Sequence, residues 1–247
     1  MRVPNIYTDL TLSLQAEAIL EGQAAQHLVK VLRMTVGNQL RLFNNTNCFY
    51  LAEITAHTKK TVSLNIIAIE NSSCESTLHT HLGQVMSRGD RMDYAIQKST
   101  EMGVNEITPL TSEFCELKLN PERATKRRLH WQQIAISAAE QCGRPNVPTI
   151  HPIRSVEDWI AAVDSQQLSL VLHHRDTQKL SGIINAPKHV NLLIGPEGGL
   201  SQNEITLASN TNFIASTFGP RVLRTETAPV ACLSILQWLW GDFQSQS

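Results

Sequence analysis

The sequence predicts an α/β protein, with a small N-terminal β-barrel followed by a mostly parallel sheet covered by helices. Three observations carry that expectation. Residues 38–70 hold three runs that alternate apolar with polar positions or carry β-branched residues, separated by turn-formers. Past residue 77 the pattern becomes apolar runs alternating with helical periods, as parallel strands joined by crossovers require. Between them lies "NSSCEST" (71–77), small and polar, which reads as a linker and divides the chain into residues 1–72 and 73–247.

In chain order, "GQAAQHLVKVLRM" (22–34) reads as a helix, with Leu28, Val31 and Leu32 on one face and Lys30 and Arg33 nearer the other. The strands "NQLRLF" (38–43), "CFYLAEITAH" (48–57) and "TVSLNIIAIE" (61–70) follow, broken by Asn44-Asn45-Thr46-Asn47 and Thr58-Lys59-Lys60. In the second part, "HTHLGQVMS" (79–87) leads to a helix over 90–103, and "NEITPLTS" (105–112) to a helix over 121–143. That second helix is well punctuated: Asn120 as N-cap, Pro121 at the first position, Gly143 just past the end. Strands "LSLVLHH" (168–174), "VNLLIG" (190–195) and "NFIAST" (212–217) come next, then a closing helix over 228–240. The stripe Val230, Leu233, Leu236, Leu239 and Trp240 on that helix reads as core or dimer interface.

With 42% apolar and 17% charged residues among 247, a sizeable core is expected and disorder is not. No apolar run is long enough to span a bilayer, and the start lacks the basic-then-apolar signature of a secretory signal. Five scattered cysteines, never spaced C-x-x-C, point to mostly buried cytosolic thiols and a cytoplasmic protein, with no disulfide frame or zinc site, and no metal is expected. The net charge of −1 lowers the prospect of a general nucleic-acid binder but leaves room for a local basic patch. Residues 1–70 are near neutral, six Lys/Arg against five Asp/Glu, so any such patch must come from arrangement.

The stretch "LLIGPEGGLSQNEI" (192–205) ends an apolar strand in a turn with three glycines and then opens a helix through Ser201-x-x-Glu204, a capping box. Gly195, Gly198 and Gly199 carry no Cβ, so a ligand could approach the main chain closely. Phosphate fits poorly: there is no P-loop Gly-Lys-Ser/Thr, the spacing is not G-x-G-x-x-G, and Glu197 repels anions. A neutral or cationic ligand suits the turn better; a tight connection with no ligand is equally compatible with it. A second stretch, "FGPRVLRTETAP" (218–229), also follows a strand and mixes Gly219, Pro220, Arg221, Arg224 and Glu226 ahead of a helix. Two such turns after two strands could form opposite walls of one pocket, which a third strand end, Leu172-His173-His174-Arg175, could join.

These two stretches together resemble the ribosomal RNA small-subunit methyltransferase E family of the SPOUT class. The resemblance extends through "HLVKVLRMTVGNQLRLFNN" (27–45), similar to its PUA-like barrel, and through "RMDYAIQKSTEMGVNEITPLTSEFC" (91–115) and "AAEQCGRPNVP" (138–148). One departure is Asn5, where members often carry a basic residue. The resemblance implies a SPOUT domain over 73–247 with a C-terminal trefoil knot, a PUA-like RNA-binding barrel over 1–72, and a cytoplasmic homodimer without membrane contact. It implies S-adenosylmethionine (SAM) as cofactor and methylation of N3 of one uridine in 16S rRNA, within the small ribosomal subunit. By motif, the cofactor residues are Leu172, His173, Ile194, Gly195, Pro196, Glu197, Gly199, Leu200, Gly219, Leu223, Arg224, Thr225 and Ala228. No periodicity shows a knot, which fold rules treat as essentially absent.

Methyl transfer to N3 needs alignment of two atoms and stabilisation of the charge that N3 deprotonation spreads over O2 and O4, or a base. Arg221, Arg224 and Glu226 are the catalytic candidates; the alternative for the arginines is an ion pair with Glu226 that fixes the loop. Glu197 either faces the sulfonium or supports its turn. His173 and His174 are candidate bases or structural strand-end residues. Phosphate contacts would come from Arg2, Lys30, Arg33, Arg88 and Arg91, whereas Lys126-Arg127-Arg128 reads as a solvated helix face. Two rival readings are ribose 2′-O-methylation and a catalytically silent RNA-binding assembly factor.

Overall fold

Alternating burial along short antiparallel strands builds the first part of the chain, and continuous apolar runs build the second. The computed structural model describes residues 3–72, 74–115, 117, 119–173 and 186–244. Arg2, His174 and Arg175 lie outside the described residues. The chain divides into two compact units, residues 1–75 with 139–147, and residues 76–138 with 148–247.

In the first unit, β1 (Asn5–Tyr7), β2 (Glu17–Glu21), β3 (Gln39–Phe43), β4 (Cys48–His57) and β5 (Thr61–Asn71) form one sheet in the order β1-β3-β4-β5-β2. Only β1 and β3 run parallel. The register between β4 and β5 slips at Leu51/Ala52 and again at Ile54/Ala56. Such irregularities bend the strands and increase their twist, so the sheet curls around its apolar face. Leu40, Leu42, Ala52, Ile54, Val62, Leu64 and Ile66 fill the interior, closed by Ala25 and Leu28.

The helix expected over 22–34 is shorter and changes pitch. Helix α1 (Gly22–Gln26) continues as a π turn over His27–Val31, where Leu32 N–H donates to the His27 carbonyl. The wider turn breaks the i, i+3, i+4 alignment, so Leu28 is buried while Val31 is 66% exposed and Leu32 also faces solvent. The expected shared face of Leu28, Val31 and Leu32 therefore does not form.

Residues 139–147 complete this unit from far along the chain. Asn5 Nδ2 donates to the Glu140 carbonyl (3.0 Å), and Tyr7 N–H donates to Glu140 Oε1 (3.0 Å). Arg144, 5% exposed, grips the Glu75 carboxylate through Nε and Nη2 (3.1 and 2.9 Å). Asn5 thus has a structural task, holding β1 in place.

The second unit is a seven-stranded parallel sheet. Strands β6 (His79–Val85), β7 (Glu106–Thr111), β8 (Thr149–Ile150), β10 (Leu168–Leu172), β11 (His189–Ile194) and β12 (Phe213–Ser216) lie in the order β12-β10-β11-β6-β7-β8, with β9 (Arg154–Ser155) also on β7. Parallel sheets need cover on both faces. The helices are α2 (Arg91–Glu101), α3 (Pro121–Cys142), α4 (Val156–Ala162), α5 (Gln202–Asn210) and α6 (Thr227–Trp240); α2 packs with α6, and α4 with α5. The punctuation of α3 holds: Asn120 Oδ1 accepts from Arg123 N–H (2.9 Å), and Gly143 takes a left-handed φ of 82°. The stripe on α6 splits, with Leu233 and Leu236 fully buried but Leu239 44% exposed. No helix among the described residues is long and apolar enough to cross a membrane.

Helix α4 sits close to the sheet because β6 carries Gly83. A Cβ there would lie 2.7–2.9 Å from the ring of Trp159, itself 2% exposed. Trp159 Nε1 also donates to His81 Nε2 (3.3 Å), whose other neighbour is Thr108 Oγ1 (2.8 Å). Burial pushes the His81 pKa down to about 4, against the pull of Glu106, so the ring is neutral at pH 7. Gly83→Ala should overpack this contact and cost about 1–3 kcal/mol, read as a lower urea midpoint at unchanged slope.

Candidate active site: a cleft at the carboxyl ends of three strands

Strands β12, β10 and β11 are neighbours, so their carboxyl ends open on one side of the sheet. After β11 the chain turns at once. Gly199 N–H donates to the Pro196 carbonyl (2.9 Å), with Gly199 at φ 77°. A Cβ on Gly195 would sit 3.1 Å from Leu200 Cγ and 3.2 Å from its backbone nitrogen, so a side chain there would press on Leu200 as the turn folds back on itself. The capping box forms: Ser201 Oγ accepts from Glu204 N–H and Glu204 Oε2 from Ser201 N–H (2.7 Å). Glu204, 2% exposed, also accepts from Glu113 N–H through Oε1 (3.0 Å), which ties the turn to the segment after β7.

The loop after β12 makes the facing wall. Its central anchor is Thr225, 5% exposed, whose hydroxyl donates to the Gly195 carbonyl (3.1 Å) and accepts from Gln84 Nε2 (3.0 Å). Gln84 stands on β6 and is itself buried, so one hydroxyl joins the two loops to the middle of the sheet. At the third strand end, His173 N–H donates to the Ser216 carbonyl (3.0 Å), holding β10 against β12.

The cleft between these walls has a volume of about 560 Å³. It brings together Leu172 at the end of β10 and His173 just past it, Ile194 at the end of β11, Gly195, Pro196, Glu197, Gly199 and Leu200 from the turn, and Leu223, Arg224, Thr225 and Ala228 from the far wall. Arg221 and Glu226 line it as well. Gly219 does not; its φ of 99° instead redirects the loop. Gly198, noted in the sequence for its missing Cβ, also lines the cleft, as do Thr217, Phe218 and Val222, for which position beside the assigned residues was the signal.

Charge is arranged unevenly in the cleft. Arg91, expected among the phosphate-contacting residues, reaches from the start of α2 to pair with Glu197, which compensates the one acid on the turn. Both partners are nearly half exposed, so the pair itself contributes only about 0–1 kcal/mol. Neither Arg221 nor Arg224 pairs with Glu226 among the described residues, and both arginines are exposed. Glu226 Oε2 is buried without a hydrogen-bond partner. The cleft therefore offers two cationic side chains, apolar walls and bare backbone, with the unpartnered Glu226 oxygen buried in its lining. Of the other basic candidates, Lys30 bonds Gln26 Oε1 (3.3 Å), and Arg33 and Arg88 are exposed. Lys126 forms an i, i+4 pair with Glu122 on the solvated face of α3.

An RNA methyltransferase domain matches residues 74–237, and an RNA methyltransferase PUA domain matches residues 20–67. A ribosomal RNA small subunit methyltransferase E of Buchnera aphidicola subsp. Schizaphis graminum is 37% identical over 98% of both chains. The chain belongs to the ribosomal RNA small subunit methyltransferase E family. The methyltransferase E of Bacillus subtilis is 30% identical over 89% of both chains. The methyltransferase E of Neisseria gonorrhoeae, solved bound to S-adenosyl methionine, aligns with a TM-score of 0.93 at 35% identity, covering 98% of this chain and 100% of that one. The curled first sheet is thus PUA-like, and the parallel sheet carries the methyltransferase E fold.

Thr225→Val keeps the shape but leaves the Gly195 carbonyl and Gln84 amide without their shared partner. The expected cost is about 1–3 kcal/mol in urea denaturation, together with at least tenfold weaker SAM binding by calorimetry. Unchanged affinity would show that the two walls hold the cleft without this link.

Proposed function

We propose that this protein is a SAM-dependent methyltransferase that methylates N3 of one uridine in 16S rRNA of the small ribosomal subunit. The observation that carries the reading is the cleft itself, a glycine turn and an arginine-bearing loop joined through Thr225, in a chain that matches a SAM-bound relative over its full length. The residues present fit the cofactor. Leu172, Ile194, Leu200 and Leu223 offer apolar walls to an adenine, and the turn offers backbone groups. The unpartnered Glu226 oxygen suits a cationic ligand and opposes a phosphate. When bound, SAM supplies a methyl group on a positively charged sulfur.

The chain's own residues do the rest. Arg221 and Arg224, unpaired with Glu226, stabilise the negative charge that spreads over O2 and O4 when uridine N3 loses its proton. Glu226 accepts that proton or holds the cation through its free oxygen. The turn and the loop set the line between N3 and the methyl carbon. N3 lies on the pairing edge, so the base enters unpaired. Arg2, Lys30, Arg33, Arg88 and Arg91 contact phosphates, the last when released from Glu197. Residues 1–72 serve as the RNA-binding PUA-like barrel and residues 73–247 as the SPOUT domain, with its C-terminal segment threaded as a trefoil knot. The stitching of residue 225 to residues 84 and 195 supports that path. Trp238 and Leu239 leave apolar surface on α6 that supports a cytoplasmic homodimer, expected in light scattering at twice 27.5 kDa.

The test is incubation with SAM and small subunits from cells lacking this activity, followed by nucleoside mass spectrometry. The expected product is 3-methyluridine; a 2′-O-methylnucleoside would move the target atom to the ribose, and absence of SAM binding would favour a silent RNA-binding factor. Arg224→Ala should lower turnover about 10²–10³-fold with an unchanged circular dichroism spectrum. Wild-type turnover in that variant would remove Arg224 from the chemistry.

A further inference from the structure

The amino-terminal edge of the parallel sheet, opposite the cleft, gathers side chains that methyl transfer does not use. His79 and His81 stand two apart on β6 and so share one face. On the neighbouring strand, Glu106 lies in register with His81. His151 follows directly on β8, which pairs with the start of β7. The Glu106 carboxylate is held at both oxygens, 2.8 Å from His79 Nε2 and 2.6 Å from His151 Nε2. The His81 and His151 rings are 5.4 Å apart between centroids.

We infer that His81, Glu106 and His151 form a binding site for a divalent transition-metal ion of the zinc type. One ligand atom from each residue lies within 4.8 Å of the others. Metal bonds of about 2.0–2.2 Å require donors roughly 3.5 Å apart, so the Glu106–His151 pair, now 2.6 Å apart, must open while the third donor closes in, both changes within reach of side-chain torsions. Two imidazoles and a carboxylate are a zinc ligand set, and the three come from three adjacent strands whose register is fixed by the sheet. Glu106 and His151 are each one-third exposed, so an ion enters without unfolding. His79 holds the other Glu106 oxygen and is a positioning residue, as outer partners of metal ligands commonly are. The bound ion would clasp β6, β7 and the end of β8 at the edge remote from the cleft. This site stands independently of the proposed reaction.

The test uses the full chain, stripped with a chelator and titrated with zinc against a chromogenic competitor, and with cobalt(II) to follow visible absorption. Cys74 and Cys142 are exposed thiols, so both titrations are run on thiol-blocked protein. The expected result is one ion per chain, a zinc-dependent rise in melting temperature, and a loss of affinity of about 10–100-fold or more in His151→Ala and Glu106→Gln. His79→Ala should lose less. Metal-free melting checks the fold of each variant, and Glu106→Gln, nearly isosteric, carries the test if His151→Ala does not fold. Failure of both ions to saturate the wild type, or equal affinity in folded His151→Ala and Glu106→Gln, overturns the assignment.

Discussion

The hydroxyl of Thr225 is the point on which the cleft depends. It bonds both to the Gly195 carbonyl, just past β11, and to a side chain on β6, so the last loop has a fixed place relative to the sheet. Each bond is modest, but Thr225 and Gln84 are buried and Gly195 is half-buried, and a buried polar group without a partner is costly. The glycine turn depends on it in a second way. Gly195 leaves room for Leu200 to fold back over the turn, and its carbonyl points where Thr225 reaches it. With both walls set, the side chains of Arg221, Arg224 and Glu226 line the same space without pairing with each other.

Much of this frame was legible in the residues. Asn120, Pro121 and Gly143 mark α3 because each satisfies or redirects a helix end locally, and Ser201 with Glu204 marks α5 for the same reason. The long strands β4 and β5 announce themselves through alternation, and β10 and β11 through unbroken apolar runs. The assigned cleft residues gather because they all lie just beyond neighbouring strands, a relation that motif spacing shows once a parallel sheet is assumed. Gly219 falls outside because it shapes the loop by its backbone and does not face the cleft.

What the sequence did not show depends on partners distant in the chain. Strand β2 and helix α4 are short, and the two-residue strands β8 and β9 carry no period at all; they exist because longer neighbours hold them. The π turn at His27–Val31 cannot be told from an α-helix by composition, yet it decides that Val31 faces solvent. Arg91 read as a phosphate contact because it is basic and opens a helix; only the tertiary fold brings it to Glu197. The cysteine spacing held no metal frame, and no spacing rule reaches across His81, Glu106 and His151, which three parallel strands make neighbours.

The return of residues 139–147 to the first unit has a consequence for how the chain comes into being. A ribosome adds about 5–20 residues per second, so β1 to β5 emerge well before Glu140 and Arg144 exist to hold Asn5, Tyr7 and Glu75. The N-terminal sheet is thus a nascent object waiting for its last piece. By the time that piece arrives, β6, α2, β7 and most of α3 have already been made, so the first unit is not completed as a simple prefix of the chain.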